Sequence, residues 1–146
     1  MKKLILLTAL FTLLFMSCKN QEEATVETID VIPKAELVMD FSTAGRAAPI
    51  GIENVKVTGN KMKLDVKYSG GCKPHKFRLM GHPMVSKSIP PQRAIRLHHH
   101  NAGDDCRELV EETLVFDISA FAYDGAGEIS LRLEGYDKVI PYIPVN

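Results

Sequence analysis

The chain has 146 residues, of which 18 are basic and 18 are acidic, and its formal net charge at pH 7 is +0. This length is sufficient for one ordinary domain with a hydrophobic core. The balanced charge argues against nucleic acid as a partner, because a surface that binds phosphates carries an excess of lysine and arginine. Beyond the first 17 residues there is no long apolar run, so we expect no membrane-spanning segment.

Residues 1–17 have the features of a secretory signal. Two lysines precede an uncharged apolar run from Leu4 to Met16, which is too short to span a membrane, and the small residue Ser17 follows it. Cys18 comes directly after this run. The arrangement resembles the bacterial lipoprotein signal, in which that cysteine becomes the lipidated N-terminus of the mature chain. We therefore predict lipidation of Cys18 and membrane attachment through that lipid.

The segment 18–34 is polar and acidic, which predicts a flexible tether between the lipid and a folded domain. Its beginning, Lys19 to Glu23, resembles the acidic export signal with which Bacteroidetes place lipoproteins on the cell surface. The expected location is the cell envelope, as an outer-membrane lipoprotein that is either periplasmic or surface-exposed. Residues 1–17 contain two lysines and no acid, so their removal leaves 129 residues with a net charge of −2. We expect 35–146 to form one domain.

Alternation of apolar and polar residues predicts seven to eight short strands in this domain. In the clearest case, Val55 and Val57 precede a Gly59–Asn60 turn and an alternating run from Met62 to Tyr68 follows it, which is the pattern of a β-hairpin. Other sets with one shared face are His75, Phe77 and Leu79; Ile95, Leu97 and His99; Leu114, Phe116 and Ile118; and Ile129, Leu131 and Leu133. The fold class is therefore all-β, an antiparallel β-sandwich, with a small β-barrel as the alternative.

Two segments depart from this alternation. The stretch 104–112 is the one candidate for a helix, because Asp104 or Asp105 could cap it and acidic residues crowd its first turns. Near the C-terminus a last short strand is expected, and Pro141 and Pro144 confine it to the edge of a sheet.

With Cys18 assigned to lipid, Cys72 and Cys106 remain. An even remainder in an exported protein predicts a disulfide, and we expect this bridge to pin the two sheets together. The chain-entropy model gives a loop of this length about 4 kcal/mol of stabilisation. The alternative is a pair of buried, free thiols.

The histidines support a competing hypothesis, a copper or zinc site. Cys72 and His75 have C-x-x-H spacing, and His98 and His100 would lie on one face of a strand, where two imidazoles can hold one ion. His82 is flanked by methionines, whose soft sulfur suits copper. The candidate metal ligands are His75, His82, His98 and His100. A disulfide would consume both thiolates, and no strict zinc spacing such as paired C-x-x-C is present, so solvated histidines are the simpler interpretation.

No catalytic residues are predicted. Cys72 and His75 can be imagined as nucleophile and base, but three residues apart on an extended strand they point to opposite faces. The sequence contains no Gly-x-Ser-x-Gly elbow, phosphate loop or His-Glu-x-x-His motif. A non-enzymatic binding module is therefore the first hypothesis, a metal-binding lipoprotein the second, and a hydrolase or thiol enzyme the third.

The segment from Tyr68 to Leu79 contains Ser-Gly-Gly-Cys-x-x-His-x-Phe, which resembles a signature in the C-terminal β-sandwich of NigD-like Bacteroidetes lipoproteins. Parts of 98–119 also look like segments of such proteins. The resemblance implies a sandwich and a lipoprotein, and it brings no activity and no catalytic residue. Within the motif we expect Phe77 to anchor the core and His75 to hydrogen-bond a buried backbone group near the disulfide.

Overall fold

The computed structural model describes residues 31–145, and most of this range is strand or turn. The expected signal 1–17, Cys18 and the first part of the expected tether lie outside the described residues. The described part contains two short 3-10 turns, η1 (Phe41–Ala44) and η2 (Ser119–Phe121). Its strands are β1 (Glu36–Leu37), β2 (Gly51–Thr58), β3 (Lys61–Gly70), β4 (Lys76–Gly81), β5 (Gln92–His100), β6 (Glu108–Asp117), β7 (Ile129–Leu133) and β8 (Ile140–Tyr142). No helix in this part of the chain is long and apolar enough to cross a membrane.

The eight strands form two sheets. One has three strands in the order β2-β3-β6, and the other has five strands in the order β1-β4-β5-β7-β8. Neither order closes on itself within residues 31–145, so the alternative of a small barrel is wrong and the prediction of an all-β sandwich is confirmed.

The core lies between the sheets and is made of their inward faces. A fully buried aliphatic or aromatic side chain contributes about 1.5–3 kcal/mol relative to exposure, so this layer dominates the stability of the domain. The three-stranded sheet contributes Met62, Leu64, Val66, Tyr68, Leu114 and Phe116, and the five-stranded sheet contributes Leu79, Ile95, Leu97, Ile129, Leu131, Leu133, Ile140 and Tyr142.

The predicted hairpin is strands β2 and β3. Thr58 pairs with Lys61 across the two-residue turn, in which Gly59 has the positive φ of +55° that glycine adopts without strain. Asn60 in the turn also holds the C-terminal end of the chain, because its Oδ1 accepts hydrogen bonds from the Tyr142 hydroxyl at 2.9 Å and from the backbone N–H of Val145 at 3.0 Å.

Two of the strand pairs are parallel, which the purely antiparallel expectation did not include. They are β1 with β4 and β5 with β7. The chain leaves β5 for the other sheet, runs through β6 and then returns as β7. Because no hairpin joins β5 to β7, nothing in the connection forces them to be antiparallel.

The expectation of a helix over 104–112 is wrong. Glu108–Asp117 is a strand that pairs with β3 without a register shift, from Gly70↔Glu108 to Lys61↔Asp117. Val110 packs against the core cluster, and Leu114 and Phe116 are members of it. The burial of alternate apolar side chains in a strand paired with β3 therefore outweighs the local preference of the acidic residues for a helix.

The residues before β1 contact both sheets. The N–H of Asp117 at the end of β6 donates to the Pro33 carbonyl at 2.9 Å, and the Ala35 N–H donates to the Asp117 carbonyl at 2.8 Å. The next two residues, Glu36 and Leu37, pair with β4 of the other sheet. The chain thus crosses from one sheet to the other within a few residues.

Candidate functional site

The predicted disulfide between Cys72 and Cys106 is present, with a Cα–Cα distance of 5.9 Å. Cys72 lies in the connection from β3 to β4 and Cys106 in the connection from β5 to β6. The bridge therefore joins two of the connections that cross between the sheets, β3–β4 and β5–β6. From the sequence we expected the bridge to pin one sheet to the other. Instead, both cysteines lie in connections, beside the paired ends of β3 and β6.

Asp104 is the centre of the polar structure beneath this bridge. Its Oδ2 accepts the backbone N–H groups of Cys72 at 2.9 Å and Lys73 at 3.0 Å, and its Oδ1 accepts that of Cys106 at 3.0 Å. These backbone donors, of which the Cys106 N–H contributes most, hold the pKa of the Asp104 carboxyl well below its usual range. The His75 side chain adds the smallest contribution in the same direction, and burial opposes the shift. Asp104 is therefore a buried carboxylate that is charged at neutral pH.

A chain of hydrogen bonds runs from this carboxylate through two imidazoles. Asp104 Oδ2 lies 3.2 Å from His75 Nε2, His75 Nδ1 lies 2.8 Å from His99 Nε2, and His99 Nδ1 lies 3.1 Å from the Pro49 carbonyl oxygen. A carbonyl oxygen can only accept, so the contact with Pro49 requires a proton on His99 Nδ1. We infer that His99 is the neutral Nδ1–H tautomer, whose Nε2 accepts from His75 Nδ1.

Aromatic rings enclose the two imidazoles. The Tyr68 ring centroid lies 4.7 Å from that of His75 and 4.8 Å from that of His99, and the Phe77 ring stacks on His99 at 4.9 Å with an interplanar angle of 14°. The Tyr68 hydroxyl donates to Glu112 Oε2 at 2.6 Å. Burial, followed by that carboxylate, raises the pKa of Tyr68 to about 12, so its hydroxyl stays protonated.

Gly70 is the residue that lets this cluster pack. A Cβ on Gly70 would overlap His75 Cε1, so the imidazole would have to move, and it would also lie in tight contact with Asp104 Oδ2 at 3.1 Å. The first glycine of the Ser-Gly-Gly-Cys motif therefore makes room for the imidazole and the carboxylate. The motif encodes both the position of Cys72 and the space beside it.

The geometry corrects the role expected for His75. Its partners are the side chains of His99 and Asp104 and not a backbone group. The side chains of His75 and Asp104 are only 3% and 1% exposed. A cleft of about 180 Å³ touches the outer side of His99 and Asp104, next to Pro49 and Cys106. With Cys72 in a disulfide, the cluster presents no thiolate to a substrate, and its described polar atoms are satisfied within the domain.

The four histidines predicted as metal ligands do not converge. His75 faces the interior, whereas His98 and His100 lie on the opposite face of the five-stranded sheet, across from Arg78 and Lys76 in the β4–β5 register. His82 follows the far end of β4, where its N–H donates to the Ala94 carbonyl. Ala94 is four residues before His98, which separates those register positions by about 13 Å at ~3.3 Å per residue.

The surroundings of His98 also disfavour a cation. Burial, and then the charges of Arg78, His100 and Arg96, lower the pKa of His98. The lowered pKa leaves the imidazole neutral, and it is the positive charge of Arg78 and Arg96 that opposes a metal ion here. Within residues 31–145 the side-chain group with metal-like proximity is Cys72, Asp104 and Cys106, whose ligand atoms lie within 4.8 Å of one another, and both of its sulfurs are in the disulfide.

A second buried polar residue, Arg93, was not predicted from the sequence. Its side chain is inside the domain, with the residue 2% exposed, and it donates to the backbone carbonyls of His82, Pro83 at 2.9 Å, Phe121 at 3.1 Å and Ala122 at 3.3 Å. Burial lowers the pKa of this guanidinium. Arg93 fastens the loop after β4 to η2. Its position in phase with Ile95 and Leu97 was the signal available in the sequence.

No protein-family model matches the chain, and no curated protein matches it. Several solved structures have a similar fold. A NigD-like immunity protein from Bacteroides caccae gives a TM-score of 0.55 at 14% identity, covering 78% of this chain and 64% of that one. A DUF1344 protein of unknown function from Bacteroides vulgatus gives 0.51 at 12% identity, covering 79% and 57%. The chain spans less than two thirds of either protein. The likeness is one of fold, and it agrees with the NigD-like sandwich that the sequence motif indicated.

Proposed function

We propose that this protein is an exported, lipid-anchored binding module of the cell envelope that is not an enzyme. The observation that carries the proposal is the Asp104–His75–His99 cluster. It contains the residue types of an active site, yet its side chains are buried and bonded to one another, and the adjacent Cys72 sulfur is oxidised. Such a cluster maintains the shape of one end of a sandwich, and the surface around it is left for recognition.

Two further observations support this function. Neither of the similar structures is titled as an enzyme, and one is titled an immunity protein. Neutralising another protein by binding it is one form that the function of this chain can take. The anchor is supported by the sequence of residues 1–18, which places the domain at a membrane of the envelope, either in the periplasm or on the outer surface.

The two alternatives have less support. Copper or zinc binding at His75, His82, His98 and His100 would require side chains from both faces of one sheet to meet. A thiol enzyme would require a thiolate at Cys72, which the disulfide removes, and a hydrolase would require an accessible nucleophile beside the buried His75.

The anchor and the binding function can be tested in one strain expressing the full chain. Palmitate labelling and membrane fractionation of the wild type are compared with Cys18→Ala, for which we expect loss of both the label and the membrane association. Chemical cross-linking in intact cells should give one reproducible adduct with the wild type. The Cys72→Ser/Cys106→Ser variant, which lacks the bridge, should lose that adduct.

Two outcomes would contradict the proposal. The first is unchanged palmitate labelling in Cys18→Ala, which would remove the anchor. The second is turnover of an ester, peptide or glycoside by the purified protein that is lost in His75→Gln and Asp104→Asn while both variants retain their fold. That result would make the cluster catalytic and the protein an enzyme.

A further inference from the structure

Strand β6 is the long, regular edge of the sandwich. It pairs with β3 over its whole length without a bulge, and on its other side the described residues 31–145 contribute only the bridge from Lys34 to Asp117 at its end. The unpaired N–H and C=O groups of such an edge can bind another strand. Glu108, Leu109, Glu111, Glu112 and Thr113 are exposed along it.

The other three edges are protected by the usual structural means. β1 has two residues and β8 has three, including Pro141, which has no N–H to donate. β2 has a register irregularity between Ile52 and Asn54. β6 contains neither proline nor lysine over its ten residues. It is therefore the edge most suited to accept a strand.

The charge of the β6 edge is acidic. Glu111 is on the outer face, and Glu112, which pairs with Val66 and thus shares its face, points toward the interior side of the sheet. Glu108 begins the strand. Lys67 of β3 offsets part of this charge, since its Nζ lies 3.1 Å from Glu111 Oε1. Leu109, 65% exposed, adds an apolar contact beside these acids.

We propose that the edge of β6 binds an extended, lysine- or arginine-rich segment of a partner protein, which adds a fourth strand to the three-stranded sheet. The inference rests on the proposed binding function and names its surface and the chemistry of its partner. Main-chain hydrogen bonds to β6 hold the segment, and basic side chains opposite Glu108, Glu111 and Glu112 select it.

Charge also argues against two other possible occupants of this edge, a second copy of the chain and the N-terminal segment of the same chain. A second copy of this chain would bring its own Glu108, Glu111 and Glu112 close to the same acids, and this accumulation of negative charge opposes the pairing. The segment 18–30 contains Glu22, Glu23, Glu27 and Asp30 against one lysine, Lys19. Both candidates repel the edge that a basic strand would neutralise.

The test uses the purified full chain and three short synthetic peptides. The first is composed of lysine, threonine and valine. The second has glutamate at every lysine position, and the third has two of the valines replaced by proline, which retains the charge and removes the ability to pair as a strand. We expect the first to bind, to slow amide hydrogen exchange in β6, and to bind at least tenfold more weakly in Glu108→Lys/Glu111→Lys. The other two peptides should bind at least tenfold more weakly to the wild type.

Asp124→Lys/Glu128→Lys is the matched control, because it makes the same charge change at two exposed acids elsewhere. Equal weakening in this control, equal binding of the proline peptide, protection of amides outside β6, or no binding by the lysine peptide would each overturn the inference. None of these results affects cross-linking of the native partner in cells, so they leave the proposed function to its own test.

Discussion

His75 Nδ1 lies 2.8 Å from His99 Nε2 although the residue directly opposite His99 in the β4–β5 ladder is Phe77. His75 precedes β4, and the connection from Cys72 folds its ring back over the end of the sheet onto His99. The contact ties a loop to a strand, and the same ring reaches Asp104 in the connection from β5 to β6. The two imidazoles therefore hold both connections in one hydrogen-bonded unit.

The hydrogen-bond partners of His99 predict its tautomer. We expect the neutral Nδ1–H tautomer at pH 7, because Nδ1 faces the Pro49 carbonyl and Nε2 accepts from His75. Burial is the main cause that lowers the pKa of His99, and the charge on His75 adds to it. Long-range 15N–1H NMR spectra report the tautomer, and an Nε2–H signal for neutral His99 would contradict the prediction.

The lowered pKa of His99 determines the direction in which this residue makes the free energy of unfolding depend on pH. Since the folded state disfavours the second proton, the unfolded chain binds more protons at this group below its ordinary pKa of about 6.5. The contribution of His99 to the free energy of unfolding is therefore complete above that pH and falls as the pH is lowered through it. A His99 resonance that titrates above the value of an unfolded control would show the opposite sign.

Gly70→Ala should destabilise the domain strongly. The new methyl group would overlap His75 Cε1, so the imidazole must move away from Asp104, and overpacking of this kind costs about 1–3 kcal/mol. Urea unfolding monitored by fluorescence or circular dichroism measures the change. Gly127→Ala is the control, because nothing lies within 4 Å of its added Cβ, and it should change the free energy of unfolding by less than about 0.5 kcal/mol. Equal stability of the two variants would show that the cluster can relax.

Asp104→Asn should remove a component of acid unfolding. The Asp104 pKa is held low mainly by the Cys106 N–H, so this carboxylate stabilises the folded state above its ordinary pKa of about 3.9 and loses that contribution as the pH falls below it. The variant should be less stable at pH 7, and the difference from wild type should shrink as the pH decreases below 4. Asp105→Asn, at the exposed neighbouring position, is the control. A constant difference at every pH would contradict this role.

Arg93→Met should loosen one end of the sandwich. The substitution keeps an apolar stem but leaves the carbonyls of Phe121, Ala122 and Pro83 without their donor, and each unsatisfied buried group costs about 1–3 kcal/mol. We expect a lower melting temperature and faster amide exchange in the loop after β4. Arg46→Met, at an exposed arginine, should have little effect. An unchanged melting temperature for Arg93→Met would mean that water replaces the guanidinium.

Reduction of the Cys72–Cys106 disulfide tests its contribution to the stability of the domain. The intact mass should increase by two hydrogens with reductant, and the free energy of unfolding should decrease by about 4 kcal/mol, the chain-entropy value for a loop of this length. Reduction also releases the positions of the Cys72 and Cys106 N–H donors, so the Asp104 contribution to acid stability should weaken with it. A melting temperature that is insensitive to reductant would contradict this coupling.

Much of the fold could be predicted because its signals are local. Alternation in β2 and β3 with the Gly59–Asn60 turn indicated the hairpin, and period two placed Leu97 and His99 on one inward face, as the structure shows. The predicted export, together with the two cysteines that remain once Cys18 is assigned to lipid, indicated the Cys72–Cys106 bridge. Each of these inferences needs only neighbouring residues or a count.

The cluster could not be predicted, because it depends on where two loops meet. Asp104 looked like a helix cap. One of its donors, the Cys106 N–H, is indeed local, but the Lys73 and Cys72 N–H groups come from a connection 31 and 32 residues away. His99 was placed inward, yet His98 and His100 were chosen as ligands since their spacing on one face is visible in the sequence. The parallel pairing of β5 with β7 was missed for the same reason, as it requires knowledge of the path through the other sheet.

The crossing of residues 33–37 between the sheets has a mechanical consequence. Tension on the polypeptide from its N-terminal side would load the hydrogen bonds of Pro33 and Ala35 to Asp117 and the pairing of Glu36–Leu37 with β4 together. The force would thus be shared by the two sheets, so the strands of one sheet could not separate one at a time while the other sheet carried no load. If the proposed lipid anchor holds the chain at a membrane, force transmitted through the anchor would act on both sheets at once.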